Sequence, residues 1–108
     1  MNAVDYFNRG IKNEQEDNYL EAIDDFSKLI DENPEGITSD IKMLARLNKG
    51  LACYNYSQSI TGGLAEAYRT NAIIEWEHVL NYDTDSERKT EAQGLLNSFA
   101  RCIDGRYV

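Results

Sequence analysis

The sequence predicts an all-α protein of about five antiparallel helices, and three observations predict it. Apolar residues recur at helical rather than alternating spacing in five separate stretches. Short polar or Gly/Pro breaks divide those stretches: Asp17-Asn18, Asn33-Pro34-Glu35-Gly36, Thr61-Gly62-Gly63 and Asp83-Thr84-Asp85-Ser86. The 108 residues include a single proline, Pro34, so little in the chain prevents long uninterrupted helices.

Each element has its own local signals. The first helix, residues 3–16, carries Val4, Phe7 and Ile11 at helical spacing, with Tyr6 and Gly10 beside them. The second, 19–33, buries Tyr19, Ala22, Ile23, Phe26, Leu29 and Ile30 and sets Glu21, Asp24, Asp25 and Lys28 on its other side. Asn33 precedes a proline and is pushed out of the helical region, and Gly36 allows the turn. Thr38, Ser39 and Asp40 offer N-caps for a third helix running through Met43, Leu44, Leu47, Leu51 and Tyr54 to about Ser59. A fourth, from about Leu64 to Tyr82, buries Ala65, Tyr68, Ala72, Ile73, Trp76, Val79 and Leu80. A fifth covers Ser86 to Ile103 with Ala92, Leu95, Leu96, Phe99, Ala100 and Cys102, and Asp85 and Glu87 suit its N-terminus electrostatically. No stretch reads as a strand, and short connections predict antiparallel hairpins.

Composition narrows the function. A hydrophobic fraction of 42% and a charged fraction of 28% suit one folded domain. A net charge of −8, from 19 acids and 11 bases, argues against nucleic acid or an anionic membrane as partner, since both select a basic footprint. It permits a basic protein surface, and it also serves solubility alone. Cys53 and Cys102 lie in helix-like apolar patterns without a neighbouring Cys or His at metal spacing, so free buried thiols in a reducing compartment are expected. Met1-Asn2-Ala3-Val4-Asp5 is not a signal-peptide start, and no window has the apolar length of a membrane span, so the expected location is cytoplasmic.

Two regions repeat. Tyr6, Arg9, Gly10, Asn13, Ala22, Phe26 and Pro34 align with Arg46, Lys49, Gly50, Cys53, Ala72, Trp76 and Thr84, and a third partial copy reads Thr90, Gln93, Gly94 and Asn97. Each copy places a glycine mid-helix, which costs about 1 kcal/mol against alanine and wants a close neighbour as its reason. In the first two copies a small residue is followed one turn later by an aromatic. This pattern resembles the tetratricopeptide repeat, with its Gly in a first helix and Ala-x3-Phe in a second. The resemblance implies one domain over 1–108, an α-solenoid of helical hairpins: repeat 1 at about 3–36, repeat 2 at about 43–85 and a solvating capping helix at about 86–103. Gly10 and Ala22 are 12 residues apart but Gly50 and Ala72 are 22 apart, so the second copy carries an insertion that should lengthen its helices.

In that family the first helices line a concave face. Here the implied lining is Phe7, Asn8, Ile11, Leu47, Asn48, Leu51, Tyr54, Leu95 and Phe99. The resemblance implies a non-enzymatic adaptor or scaffold that binds a partner's peptide or helix in this groove. So small a solenoid could instead close on itself, with these residues as core, with Tyr107 and Val108 filling the groove, or with another copy of the chain covering it. The alternative function is a structural subunit buried by homo-oligomerisation or a permanent partner. Some relatives grip a C-terminal carboxylate with Lys, Asn and Arg. Asn48 fits that asparagine, but Phe7, Ile11 and Ala92 occupy the other places and cannot pair a carboxylate. No catalytic residues, cofactor or metal ligands are expected. His78 reads as a solvated helix residue. Asp83-x-Asp85-x-Glu87 reads as helix capping rather than a calcium loop, since the glycine and distant glutamate of such loops are missing. The acids Glu14, Glu16, Asp17, Glu21, Asp24 and Asp25 read as a solvated face that could also draw a basic partner.

Overall fold

The chain begins with a helix whose start is fixed by Asn2. Its side-chain oxygen accepts from Asp5 N at 2.9 Å while the Asp5 carboxylate accepts from Asn2 N at 3.4 Å, a reciprocal cap. The computed structural model describes residues 1–103, 106 and 107, and side chains as far as residue 99. The described residues form five α-helices: α1 (Ala3–Gln15), α2 (Tyr19–Asp31), α3 (Ser39–Ser57), α4 (Gly62–Tyr82) and α5 (Ser86–Leu95). None of the described helices is long and apolar enough to cross a membrane.

Three of the four breaks are where the sequence places them, and the one at Thr61-Gly62-Gly63 is shifted. Asp17 ends α1 in the left-handed region (φ 62°), which a short polar side chain tolerates. Asn33 (φ 48°) and Gly36 (φ 85°) do the same after α2. Glu35 O then accepts from Ala3 N at 2.7 Å, tying this turn to the start of α1. Thr38 caps α3 by accepting from Ile41 N at 3.1 Å, and Asp85 caps α5 by accepting from Arg88 N at 2.9 Å. The insertion in the second copy lengthens the helices: α3 has 19 residues and α4 21, against 13 each for α1 and α2. Thr61 stands at the N-cap of α4, so Gly62 and Gly63 open that helix instead of separating it from α3.

Each helix packs on the next in chain order, and α1 also meets α3 while α3 meets α5. Within the first pair Lys28 lies over the Tyr6 ring and Asn13 reaches Asp25, so α1 and α2 run antiparallel. Arg46 with Glu75 and Tyr56 with Tyr68 define the same antiparallel arrangement for α3 and α4.

The glycines explain why the pairs close so tightly. A Cβ added at Gly10 would lie 2.7 Å from Phe26 Cε1, and one at Gly50 would collide with Trp76 Nε1 and lie 2.8 Å from Cδ1 and Cε2. Phe26 and Trp76 are fully buried, as are Ala22 and Ala72 one turn before them. Burial of two large aromatics, each worth a few kcal/mol, offsets the cost of about 1 kcal/mol for each helical glycine. The core divides accordingly. One cluster gathers Ala3, Ala22, Phe26, Leu29, Ile30, Ala45 and Ala52. The other gathers Leu47, Cys53, Ala72, Ile73, Trp76, Val79, Ala92 and Leu96. Ile23 packs against both and joins them.

Two expectations fail at the C-terminal end. The fifth helix does not reach Ile103. It gives way to a π-helical turn at Leu96–Ala100, then to a short antiparallel pairing of β1 (Arg101–Ile103) with β2 (Arg106–Tyr107). Adjacent Asn97 and Ser98 weaken the helix by offering its backbone other hydrogen-bond partners. Gly94 is exposed and an added Cβ would meet nothing within 4 Å. Its match to Gly10 and Gly50 is one of sequence alone: among the described residues no further α-helix follows α5 to press against it.

Candidate protein-binding surface

The residues expected to line a groove come from α1, α3, α5 and the π-helical turn. Phe7 and Ile11 are half-buried and rest on the Phe26 cluster, with the Phe7 ring edge-on to Phe26 at 6.0 Å. Asn8 is exposed beside them, and Val4, one turn earlier, is 53% exposed. Leu51, Tyr54, Leu95 and Phe99 are half-buried and rest instead on the Trp76 cluster. Tyr54, Phe99 and Trp76 form an aromatic triangle with centroid separations of 4.8, 6.1 and 6.4 Å. The six apolar residues that stay half-buried therefore fall into two sets, Phe7 and Ile11 on one core cluster and Leu51, Tyr54, Leu95 and Phe99 on the other.

Leu47 is a correction. It is 1% exposed because it turns toward α4, where its carbonyl accepts from Trp76 Nε1 at 3.2 Å, and it can line no open groove. Asn48 is half-buried with its amide donating to Leu44 O at 2.9 Å, which engages it with its own helix. The alternative filling by Tyr107 and Val108 lies outside the described residues and side chains, as does the Cys102 thiol.

The polar contacts carry a second repeat. Asp25, 2% exposed, accepts from Arg9 through Nε and Nη2 at 2.7–3.1 Å and from Asn13 Nδ2 at 3.1 Å. Glu75, 7% exposed, pairs with Arg46 at 2.8 Å and Lys49 at 3.1 Å. Each acid immediately precedes the buried aromatic, and Arg9 and Lys49 each immediately precede the close-approach glycine. Asp25 thus leaves the solvated face assigned to it and belongs to the packing between α1 and α2. Fork-like pairing of Arg9 makes its burial tolerable.

A third tie gathers Asp83, Asp40 and Arg88. The Arg88 guanidinium donates to Asp83 at 2.6 and 2.9 Å and to Asp40 at 2.8 Å, holding the start of α3 to the α4–α5 turn. The hydrogen bond from Arg88 is the main cause holding the Asp83 carboxyl below its usual range. Asp83 also accepts from Asp85 N, so this acidic stretch acts in capping.

Other titratable groups are less engaged. Burial pushes Glu14 up to about 7, and its Oε2 is buried without a hydrogen-bond partner. Burial lifts the free Cys53 thiol to about 11, which leaves it protonated and unreactive at neutral pH. His78 is partly exposed against Tyr82, its ring centroid 4.8 Å away, and burial lowers its pKa. Open depressions among the described residues include two near the α1–α2 hairpin. One of about 440 Å³ is lined by Arg9, Asn13, Leu20, Glu21, Asp24 and Asp25. Another of about 360 Å³ lies where the α1–α2 turn meets Tyr56 and Ser59. Neither includes any of the nine residues expected from the sequence.

The fold and these contacts define a protein of packed helices, antiparallel within the pairs α1–α2 and α3–α4, with partly open apolar surface on α1 and α3. Comparison with protein-family profiles, with curated proteins and with solved structures finds no match.

Proposed function

We propose that the chain is a tetratricopeptide-like helical-repeat module that binds a peptide or helix of a partner protein and catalyses no reaction. The observation that carries this reading is the half-open apolar stripe on α1. Val4, Phe7, Asn8 and Ile11 share one helical face, and Val4 is 53% exposed at its edge. Supporting it is the contact set that recurs in both hairpins: glycine against aromatic, with a base–acid pair one residue earlier on each helix. That recurrence is what stacked repeats of one supersecondary unit require. The test is affinity capture with the native chain against Val4→Asp and Leu51→Asp, each checked for native helicity by circular dichroism. Partners retained equally by both folded variants would remove α1 and α3 as the binding face.

One observation favours the second reading, a subunit buried by self-association. Leu64, Ile74 and Tyr82 on α4 are 58%, 54% and 69% exposed. Sedimentation over a wide concentration range tests it: a monomer at the highest concentration excludes it.

A further inference from the structure

The depression of about 360 Å³ at the α1–α2 turn is lined by two tyrosines and two acids together with Asn18, Leu20 and Ser59. Asp17, Tyr19, Leu20 and Glu21 line one side, and Tyr56 and Ser59 at the end of α3 line the other. We propose that it binds a cationic side chain, the guanidinium of arginine or the ammonium of lysine, presented by a partner protein.

The argument begins with charge. The sequence has no Lys, Arg or His from Asn13 to Ser27, and none from Gly50 to Tyr68. These two stretches supply every residue lining the depression. The buried acids elsewhere each have a cation of their own: Asp25 has Arg9, Glu75 has Arg46 and Lys49, and Asp83 has Arg88. The exposed Asp17 and Glu21 stand in stretches that offer none, and Arg9, which lines the neighbouring depression with Glu21, is committed to Asp25.

The chemistry of the lining also suits a cation. Tyrosine faces attract ammonium and guanidinium groups, and a carboxylate beside them adds a directed partner. The Tyr19 hydroxyl donates to Asp17 Oδ1 at 2.8 Å, which orients that carboxylate. The Tyr56 ring is braced edge-on by Tyr68 at 4.8 Å. Leu20, 45% exposed, offers apolar surface to the aliphatic stem of a lysine or arginine. The local field is negative. Tyr19 is harder to ionise than usual, first through its bond to Asp17, then through burial and the charges of Asp17 and Glu14.

The test uses the whole chain, with amide resonances followed while acetyl-Gly-Arg-Gly-amide is added at roughly physiological salt. A short neutral-flanked peptide keeps nonspecific attraction small. The expected result is millimolar binding, with shifts concentrated at 17–21 and 56–59. The same peptide with citrulline for arginine should bind at least about fivefold more weakly, because shape is kept and charge removed. Asp17→Asn with Glu21→Gln should weaken arginine binding to a similar degree. Both positions are exposed, and asparagine suits the left-handed backbone at 17, so the fold is retained. Tyr56→Leu should weaken it about two- to fivefold. Shifts spread over unrelated acids such as Asp31 and Glu35, equal binding of the citrulline peptide, or unchanged affinity in the double variant would each overturn the proposal. Its outcome is independent of the α1–α3 reading, since Val4→Asp leaves this depression intact.

Discussion

Gly50 and Trp76 occupy the same space to within a methyl group. The Trp76 indole lies on the glycine Cα, and its Nε1 donates to the Leu47 carbonyl at 3.2 Å, so the ring can neither retreat nor rotate without losing a buried hydrogen bond. Gly50→Ala is therefore expected to destabilise the protein by about 2–3 kcal/mol, the overpacking cost less the helix propensity gained. Gly10→Ala meets the edge of Phe26, with no such bond to break, and should cost about 1–2 kcal/mol. Gly94→Ala meets open space and should stabilise by about 0.5–1 kcal/mol. Urea unfolding of the three variants checks both the order and the change of sign.

The Arg9–Asp25 pair makes a different kind of prediction. Arg9 is half-exposed and Asp25 is buried, so the two halves are not equivalent. Arg9→Met strands a buried carboxylate with Asn13 as its remaining partner and should cost about 3 kcal/mol. Asp25→Leu leaves a guanidinium that water can reach, so its cost should be smaller. With both changes the buried charge is gone, and most of the loss should be recovered. A double-mutant cycle by denaturant unfolding measures this; strictly additive losses would show that the pair is not coupled.

Much of the helical pairing was legible because its cause is local. Gly10 with Ala22 and Phe26, and Gly50 with Ala72 and Trp76, encode the small-to-large contacts in residue size alone. The acid in each hairpin was also encoded. Asp25 lies three residues after Ala22 and four before Leu29, and Glu75 three after Ala72 and four before Val79, so both sit on the buried stripe. Asp25 instead read as solvated because it stands among Glu21 and Asp24. The end of α5 was misread because Leu95, Leu96, Phe99 and Ala100 keep helical spacing. The contrary signal was Asn97-Ser98, two residues whose side chains compete for backbone hydrogen bonds. The groove was the least legible part. Whether Leu47 or Leu51 faces outward depends on how α4 crosses α3, which spacing within one helix does not contain.

Glu14 gives the chain a pH dependence of defined sign. Its carboxyl is raised from 4.5 to about 7 by burial, so between those values the folded protein holds a proton that the unfolded chain releases. Stability from this group is complete below about 4.5 and declines as pH rises through about 7. The side chain is only half-buried, so solvent screening reduces the loss to about 1 kcal/mol. Glu14→Gln should remove this component, leaving the variant more stable than the native chain at pH 8 and no more stable at pH 4. Thermal melts at the two values check it; a constant difference across pH would assign the effect to packing.

Arg88 is the residue whose loss should open one end of the molecule selectively. Its three short hydrogen bonds reach Asp83 in the α4–α5 turn and Asp40 at the start of α3, and Asp83 is 6% exposed. Arg88→Met keeps the aliphatic stem but strands the Asp83 carboxylate, with an expected cost of about 2–3 kcal/mol. The loss should be uneven, because α5 packs mainly on α4 while α1 and α2 make no use of this tie. Hydrogen exchange should quicken first in Ser86–Leu95, with the α1–α2 amides changed little. Asp83 titrates below its ordinary value when Arg88 is present. The native chain should therefore lose this stability as pH falls from about 4 through the folded-state value, whereas Arg88→Met should show little loss over that interval. Uniform acceleration of exchange in all five helices would show instead that α5 opens only with the whole protein.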